Sequence, residues 1–303
     1  MKQFKPIVLL ILLGIISACS VNPPVPFSAN NGMSCTAMPE GRTAAAAFAI
    51  GNYIYVFAGR DSAGNNTSTL FRYDTATDSW DSFATPLSPR VNATAIAAGN
   101  VAYLGLGYDG KIYTDSSYLK DWWLFDPSSH TFTQMSAYPN TMTVGCTAYL
   151  QEDTIYCLYG FGKSFSKDNN KYAIQSDTWT ESPVTATSPP MRFGGVGCIQ
   201  NGQAYFGGGF CVTTFDDWYG VNLQTSTYVP AGKLTHPVVN AAMAATNDSI
   251  YLFGGRYWGG NMTGGQVYNA EGQVAVTVNN TVYYGLGESA DNQVLCTWYK
   301  FAN

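Results

Sequence analysis

The sequence has 303 residues, of which 46% are hydrophobic, 15% aromatic and only 12% charged. Because the charged fraction is about half of the usual ~25% and apolar residues are ample, the composition excludes a disordered or coiled-coil chain. The net charge of −5 leaves no basic surface for a phosphate backbone, so we expect no nucleic-acid partner. Two histidines are too few for a multi-histidine metal site, and we expect neither a metal nor a cofactor.

The first 19 residues have the pattern of an export signal. Two lysines precede an apolar run over residues 7–16, which is too short to span a bilayer as a stable helix. The segment Ile16-Ser17-Ala18-Cys19 resembles a bacterial lipobox, which implies a signal peptide over residues 1–19 and a lipid on the Cys19 thiol. Residues 20–32 are rich in proline and are expected to form an extended tether. We therefore expect a lipoprotein of the cell envelope, anchored in the outer membrane or at the cell surface.

The remaining residues contain one pattern six times. Each copy is a five-residue segment that begins with Tyr and ends with Gly. A pair of residues suited to a tight turn lies three and four positions before each tyrosine, and a small residue lies eight positions before most of them. Each copy therefore opens with a hairpin whose first strand has little side-chain bulk, as crowding around a common axis requires. The six tyrosines are Tyr55, Tyr103, Tyr156, Tyr205, Tyr251 and Tyr283.

Two further strands follow most of these hairpins. In the first copy, an aromatic strand over Phe71–Asp74 precedes a strand centred on Trp80. Four short strands repeated around an axis are typical of a β-propeller, in which each blade buries its faces only against its neighbours. The sequence therefore predicts an all-β fold, a six-bladed propeller over residues 33–303.

The last two blades depart from the pattern. Gly255 and Gly287, which end the fifth and sixth copies, are only 32 residues apart. This interval has room for a third strand near residues 267–269 but not for a fourth, so we expect blade five to be three-stranded. The chain ends on the third strand of blade six, and an N-terminal strand that begins at Cys35 is expected to supply the fourth and close the ring. Cys35 and Cys296 would then lie on neighbouring strands, where a disulfide bridge is one open possibility.

The repeats resemble those of the kelch family. Its marks are a glycine pair after an apolar strand, Tyr-Asp about fifteen residues later, and Trp six residues after that Asp. The first copy carries Tyr73-Asp74 and Trp80, with the related Ala58-Gly59 in the place of the glycine pair. The resemblance implies that the loops between second and third strands share one face of the propeller with the links between blades. We name this the long-loop face, because all the long loops of this sequence are of that kind, and we expect function there.

Aromatic and charged residues occur together in these long loops. Stacking on aromatic rings covers the apolar side of a sugar or other small ligand, while charged and planar groups pair with its polar atoms. The candidates in the loops are Arg60, Arg256, Tyr257, Trp258 and Glu288.

Three further arginines share one position in the repeat. Arg42, Arg90 and Arg192 each lie thirteen residues before a repeat tyrosine, which places them at one level near the mouth of the central channel. Such a ring of guanidinium groups would bind a carboxylate bidentately. The alternative is that each arginine pairs with carbonyls and acids of its own blade.

The sequence can be compared with the site requirements of two enzymes that have kelch propellers. Galactose oxidase needs two histidines on one copper ion, but His130 and His236 are expected on opposite faces, which excludes that chemistry. A sugar mutarotase or epimerase of the sialic-acid type needs one acid and one base in hydrogen-bond reach of the sugar. The polar groups available for it are Arg42, Arg90, Arg192, His236 and Glu288.

The function expected from the sequence is non-catalytic binding. We expect a surface-anchored kelch propeller that binds a glycan or a protein partner through its long-loop face and the membrane through Cys19. The sugar mutarotase is the first alternative, and a structural scaffold for cell-surface assembly is the second.

Overall fold

The computed structural model describes residues 25–26, 32–110, 115–140, 144–162, 169–182, 184–257, 266–267 and 270–302. These residues form β-strands joined by turns and loops, with one short 3-10 helix at Asp115–Ser117. In chain order the strands are β1 (Val25–Pro26), β2 (Met33–Ser34), β3 (Ala46–Ile50), β4 (Tyr53–Phe57), β5 (Leu70–Asp74), β6 (Ser79–Phe83), β7 (Thr94–Ala98), β8 (Val101–Gly105), β9 (Trp122–Asp126), β10 (Thr131–Met135), β11 (Thr147–Gln151), β12 (Thr154–Leu158), β13 (Asn169–Ala173), β14 (Thr178–Ser182), β15 (Val196–Gln200), β16 (Gln203–Gly207), β17 (Asp217–Asn222), β18 (Thr227–Lys233), β19 (Ala242–Ala245), β20 (Ile250–Phe253), β21 (Arg256–Tyr257), β22 (Gln266–Val267), β23 (Val274–Val278), β24 (Thr281–Gly285) and β25 (Trp298–Ala302).

The strands are arranged as a β-propeller, which confirms the expected all-β architecture. The innermost strands β3, β7, β11, β15, β19 and β23 contact one another in that order, and β23 returns to β3. They surround an axial cavity of about 230 Å³. The small residues that recur eight positions before the repeat tyrosines line this cavity, as the crowding argument requires. They are Ala47, Ala95, Ala148, Gly197 and Ala275, with Met243 in the remaining copy.

Within the described residues the propeller has five complete four-stranded blades, whereas we expected six blades with a three-stranded fifth. They are β3–β6, β7–β10, β11–β14, β15–β18 and the sheet β23-β24-β25-β2. Between the fourth of these blades and the last, β19 and β20 form an incomplete sheet, to which β1 adds in parallel alongside β20.

The strand expected over residues 267–269 does not complete this sheet. Val267 belongs to β22, which pairs with β21 instead of β20, and residues 268–269 lie outside the described part of the chain. Strand β1 instead pairs with Tyr251 and Leu252 of β20, so the sheet edge that this strand was expected to take is already occupied.

An N-terminal strand closes the last blade, as we expected, but it consists of Met33–Ser34 instead of beginning at Cys35. Strand β2 pairs with the terminal strand β25, and the N–H of Cys35 donates to the carbonyl of Trp298 at 2.9 Å. This register places Cys35 beside Trp298 instead of Cys296, and both cysteines carry free thiols. The ring is therefore closed by backbone hydrogen bonds and not by a bridge between these two residues.

Aromatic side chains join neighbouring blades. The ring of Tyr55 in the first blade meets Phe125 of the second with centroids 5.6 Å apart, and Tyr103 of the second meets Tyr172 of the third at 5.5 Å. Five of the six repeat tyrosines are buried and Tyr251 is half-buried. The tyrosines therefore belong to the core between blades, as expected from their repetition.

Six residues at the long-loop end of the innermost strands form a circle of backbone hydrogen bonds, which we name the mouth ring. Each lies two residues before an innermost strand and has a positive φ between 50° and 68°. The N–H of each donates to the carbonyl of the equivalent residue in the preceding repeat, over 2.9 to 3.4 Å, and the first residue donates to the last. All six hairpins are thus joined in one circuit. The members are Ala44, Asn92, Gly145, Gly194, Asn240 and Gly272.

Candidate functional site

A layer of six residue pairs surrounds the mouth ring on the long-loop face. In each pair, the residue just before the mouth-ring position forms a β-bridge with the residue that follows the last glycine of the repeat. The two partners are seventeen residues apart in every copy. Links between blades and long loops therefore share one face, as expected. The pairs are Thr43–Arg60, Val91–Tyr108, Val144–Phe161, Phe193–Phe210, Val239–Arg256 and Glu271–Glu288.

One half of this layer is aromatic. Over the second, third and fourth blades, five rings follow one another with centroids 5.7 to 6.2 Å apart. Tyr118 and Phe210 are buried, whereas the other three rings are partly exposed. We name this row the aromatic arc; it consists of Tyr108, Tyr118, Phe161, Phe193 and Phe210.

The other half of the layer is charged and contains a cavity of about 170 Å³, here named the mouth cavity. Two of the sequence candidates, Arg60 and Glu288, line it. The rest of its lining comes from the links and the mouth ring: Thr43, Ala44, Val91, Asn92, Asn240, Glu271 and Gly272.

The carboxylate of Glu271 is held in place by its neighbours. Its Oε2 lies 2.6 Å from Nε of Arg256, and its Oε1 accepts a hydrogen bond of 2.9 Å from Nδ2 of Asn240. The hydroxyl of Thr43 donates to the backbone carbonyl of Glu271 at 3.2 Å. Arg256, a candidate from the sequence, therefore acts on the cavity indirectly by neutralising and orienting Glu271.

Arg60 and Glu288 differ from this fixed acid. Arg60 is exposed and Glu288 is partly exposed, and among the described residues neither side chain forms an ion pair or a hydrogen bond. Their backbones are fixed by the bridges to Thr43 and Glu271. The cavity thus presents one cation and one anion that are available to a ligand.

The expected ring of arginines is not present. Arg90 is fully buried and its guanidinium donates to both carboxylate oxygens of Asp121, at 2.7 and 2.9 Å. Arg192 is bound in the same way by Asp217 at 2.5 and 2.8 Å. Because both guanidinium groups are saturated by their own blades, they cannot bind the carboxylate of a ligand. The alternative of pairing within the blade is the one that the structure supports.

Arg42 is also buried but has a different acid. Its Nη2 lies 2.6 Å from the exposed carboxylate of Glu40, and its guanidinium lies 5.2 Å from the ring centroid of Phe71. The position that Asp121 and Asp217 occupy is Thr69 in this repeat, because Thr69 accepts the equivalent backbone hydrogen bond from Ala58. Arg42 therefore does not face the channel mouth either.

The remaining candidates do not join the mouth cavity. His236 is half-buried, with Nδ1 3.1 Å from the hydroxyl of Thr235, and burial lowers the pKa of its imidazole. Tyr257 lies in β21, where its backbone pairs with Gln266. Trp258 and Cys19 lie outside the described residues. The set considered for a sugar mutarotase is therefore not assembled into one site, since only Glu288 of its five members lines the cavity.

Sequence reasoning missed the residues of the links. Asn92, Asn240 and Glu271 line the cavity but come from segments outside the long loops. A constant spacing could have identified this part of the links. In every repeat, the link residue that forms the β-bridge lies seventeen positions before the first residue of the long loop.

Two absences hold for the described part of the chain. It contains no group of three or more His, Cys, Asp or Glu side chains arranged to hold a metal ion. Its helices include none of the length and apolar character needed to cross a membrane.

Comparisons with known proteins agree with this geometry. The model of the KLHDC2/KLHL20/DRC7 Kelch-repeats domain matches residues 30–209, which is more than half of the chain. Kelch repeat protein M-T8 of Myxoma virus (strain Lausanne) is 26% identical over 207 residues, which cover 68% of this chain and 39% of that protein. The chain therefore corresponds to well under half of this relative's length. A solved structure titled "Structure of YjhT" has a TM-score of 0.73 at 15% identity, covering 88% of this chain and 97% of that one. At this identity the similarity bears on the fold alone.

Proposed function

The chain belongs to the kelch-repeat family, and from that premise we propose that it is a non-catalytic propeller that binds a protein partner through its long-loop face. Propellers of this family generally bind proteins, which supports the class of partner. The relative from Myxoma virus is itself named only as a kelch repeat protein, so it adds no particular partner.

The observation that carries the proposal is the aromatic arc. The partly exposed rings of Tyr108, Phe161 and Phe193 belong to one row on one side of the channel mouth, in which the buried ring of Tyr118 connects Tyr108 to Phe161. Val212, which follows Phe210 by two residues, is 77% exposed, and Met191 beside Arg192 is 41% exposed. Large apolar groups gathered on one surface mark interaction sites, and aromatic residues are enriched where binding energy concentrates.

We also propose that the propeller is tethered to a membrane of the cell envelope. The support is the lipobox-like segment that ends at Cys19 and the proline-rich residues after it. Mass spectrometry of the chain isolated from its host would show a diacylglycerol group on Cys19. A Cys19→Ala variant should leave the membrane fraction, whereas an unlipidated Cys19 in the native protein would refute the tether.

Partner capture tests the long-loop face. A Phe161→Ser/Phe193→Ser variant removes two partly exposed rings of the arc, and Val229→Ser is the matched control because Val229 is 66% exposed on the outer strand β18. We expect envelope proteins cross-linked to the native chain to be lost with the double variant and kept with the control. The folded state of each variant is checked by its thermal midpoint.

The same variants distinguish the glycan alternative. Binding to an oligosaccharide array that disappears in the double variant, without loss of any protein partner, would show that the arc binds carbohydrate and would overturn the proposal. Equal capture by the native chain and the double variant would show that the interface lies elsewhere on the propeller.

A further inference from the structure

We propose that the mouth cavity is a separate binding site for a small zwitterion, an α-amino acid with a small side chain, held between Arg60 and Glu288. The site uses no residue of the aromatic arc, so it does not depend on the protein partner proposed above.

The two unpaired charges carry the argument. Arg60 and Glu288 occupy equivalent positions in the first and last repeats, which are neighbours in the closed ring. Both line the same cavity, yet they form no ion pair with each other. A ligand that fills the space between them must therefore accept hydrogen bonds from a guanidinium group on one side and donate to a carboxylate on the other.

The third charge in the lining is already neutralised. Arg256 and Asn240 occupy both oxygens of Glu271, so this carboxylate has little capacity left for a cationic ligand. The charges that remain available in the cavity are one positive and one negative. This balance favours a ligand that carries both charges over a simple anion or a simple cation.

The size and the rest of the lining restrict the ligand further. A volume of about 170 Å³ holds on the order of five or six water molecules, which corresponds to a ligand the size of alanine. Ala44, Val91 and Gly272 offer an apolar surface for a methyl group, and Asn92 offers an amide. An α-amino acid carries its ammonium and carboxylate groups on one carbon atom, which suits a cavity of this small volume.

Isothermal titration of the whole chain with three matched compounds tests the proposal. L-Alanine has both charges, L-alaninamide lacks the carboxylate and propionate lacks the ammonium group. We expect L-alanine to bind about tenfold or more tightly than either of the others, because each loses one charged hydrogen-bonding partner. Arg60→Gln and Glu288→Gln should each weaken L-alanine binding by a similar factor.

The controls separate this site from the rest of the face. Lys233→Gln removes an exposed cation of the outer strand β18, which does not line the cavity, and should leave the affinity for L-alanine unchanged. Capture of protein partners should be unaffected by Arg60→Gln and Glu288→Gln. Absence of a heat signal with L-alanine at roughly 10 mM would overturn the proposal. Propionate or L-alaninamide binding as tightly as L-alanine would also overturn it, since only one of the two charges would then be used.

Discussion

The guanidinium group of Arg192 donates two hydrogen bonds to the carboxylate of Asp217, at 2.5 and 2.8 Å. Arg192 is fully buried, whereas the side chain of Asp217 keeps 23% of its surface exposed. The pair joins the link that precedes the fourth blade to the third strand of the same blade, and Arg90 with Asp121 repeats this connection in the second blade. These arginines thus hold the base of the long-loop face together.

Substitution of the buried arginine should destabilise the fold. Arg192→Met leaves Asp217 without its cation, and because that carboxylate is partly exposed we expect a loss of about 2–3 kcal/mol in the free energy of unfolding. Urea denaturation measures it. Lys233→Met, which breaks the exposed pair with Asp216, is the control and should cost less than about 1 kcal/mol. Equal losses in the two variants would contradict a bracing role for Arg192.

The carboxylate of Asp78 connects the first blade to the last. It accepts hydrogen bonds from the hydroxyl of Tyr73 at 2.6 Å and from the N–H of Thr36 at 2.8 Å. The bond from Tyr73 is the main reason why the pKa of Asp78 lies below its usual value. Because the pKa is lower in the folded chain than in the unfolded one, the carboxylate stabilises the fold fully above about pH 4 and loses this effect as pH falls through the folded value.

The stability difference between the native chain and Asp78→Asn should therefore be largest near neutral pH and shrink below about pH 4. Denaturation curves at several pH values provide the measurement. Asp177 accepts the same two kinds of hydrogen bond, from Tyr172 and Ser136, and Asp177→Asn should follow the same trend. A difference that does not change with pH would show that the charge of Asp78 is unimportant.

The mouth ring should be sensitive to a single methyl group. Gly272 has a φ of 68°, and a Cβ atom there would lie 2.6 Å from the backbone nitrogen of Ala44. Gly51 has a φ of 59° but open space around it, so Gly51→Ala measures the conformational penalty alone, about 1 kcal/mol. We expect Gly272→Ala to exceed this control by about 1 kcal/mol or more in denaturant titrations. Equal effects would mean that the ring tolerates the displacement.

Alkylation of the native chain should discriminate between its thiols. Cys296 is exposed, whereas Cys157 is fully buried and burial raises its pKa well above the usual value. Only the thiolate reacts, so brief treatment with iodoacetamide at pH 8 should label Cys296 and spare Cys157 until the chain is unfolded. Peptide mass spectrometry reports both sites, and native labelling of Cys157 would contradict the packing of β12.

The hairpins could be predicted from the sequence because each repeats a local code. A turn pair, a tyrosine and a terminal glycine fix two strands without any knowledge of distant contacts. The strand near residues 267–269 could not be placed in the same way, because more than one segment of the chain can pair with the free edge of β20. Strand β22 pairs with β21, and β1, which is far away in sequence, takes the position beside β20.

The site was predicted in part for the same reason. Arg60 and Glu288 follow directly after the glycine pattern, so their place on the long-loop face could be read from the repeat. The sequence also showed that Arg90 and Arg192 share one position in the repeat. It did not show that their side chains point into their own blades. The signal was an aspartate where the third strand begins, which occurs in the same two copies: Asp121 directly precedes β9, and Asp217 is the first residue of β17. Glu271 was missed because it lies in a link, at a position where the other repeats carry Thr, Val or Phe.

The mouth ring also limits how this chain can evolve. An open stack of repeats gains or loses a unit at either end with little effect on the others. Here the mouth-ring residue of each hairpin donates its N–H to the preceding hairpin and accepts a hydrogen bond from the following one. The circle runs from Ala44 to Gly272 and is closed by the N–H of Ala44. Duplication or deletion of a hairpin would break this circle and require it to close again around a channel of different diameter, so we expect variation between descendants of this protein to be confined to its loops.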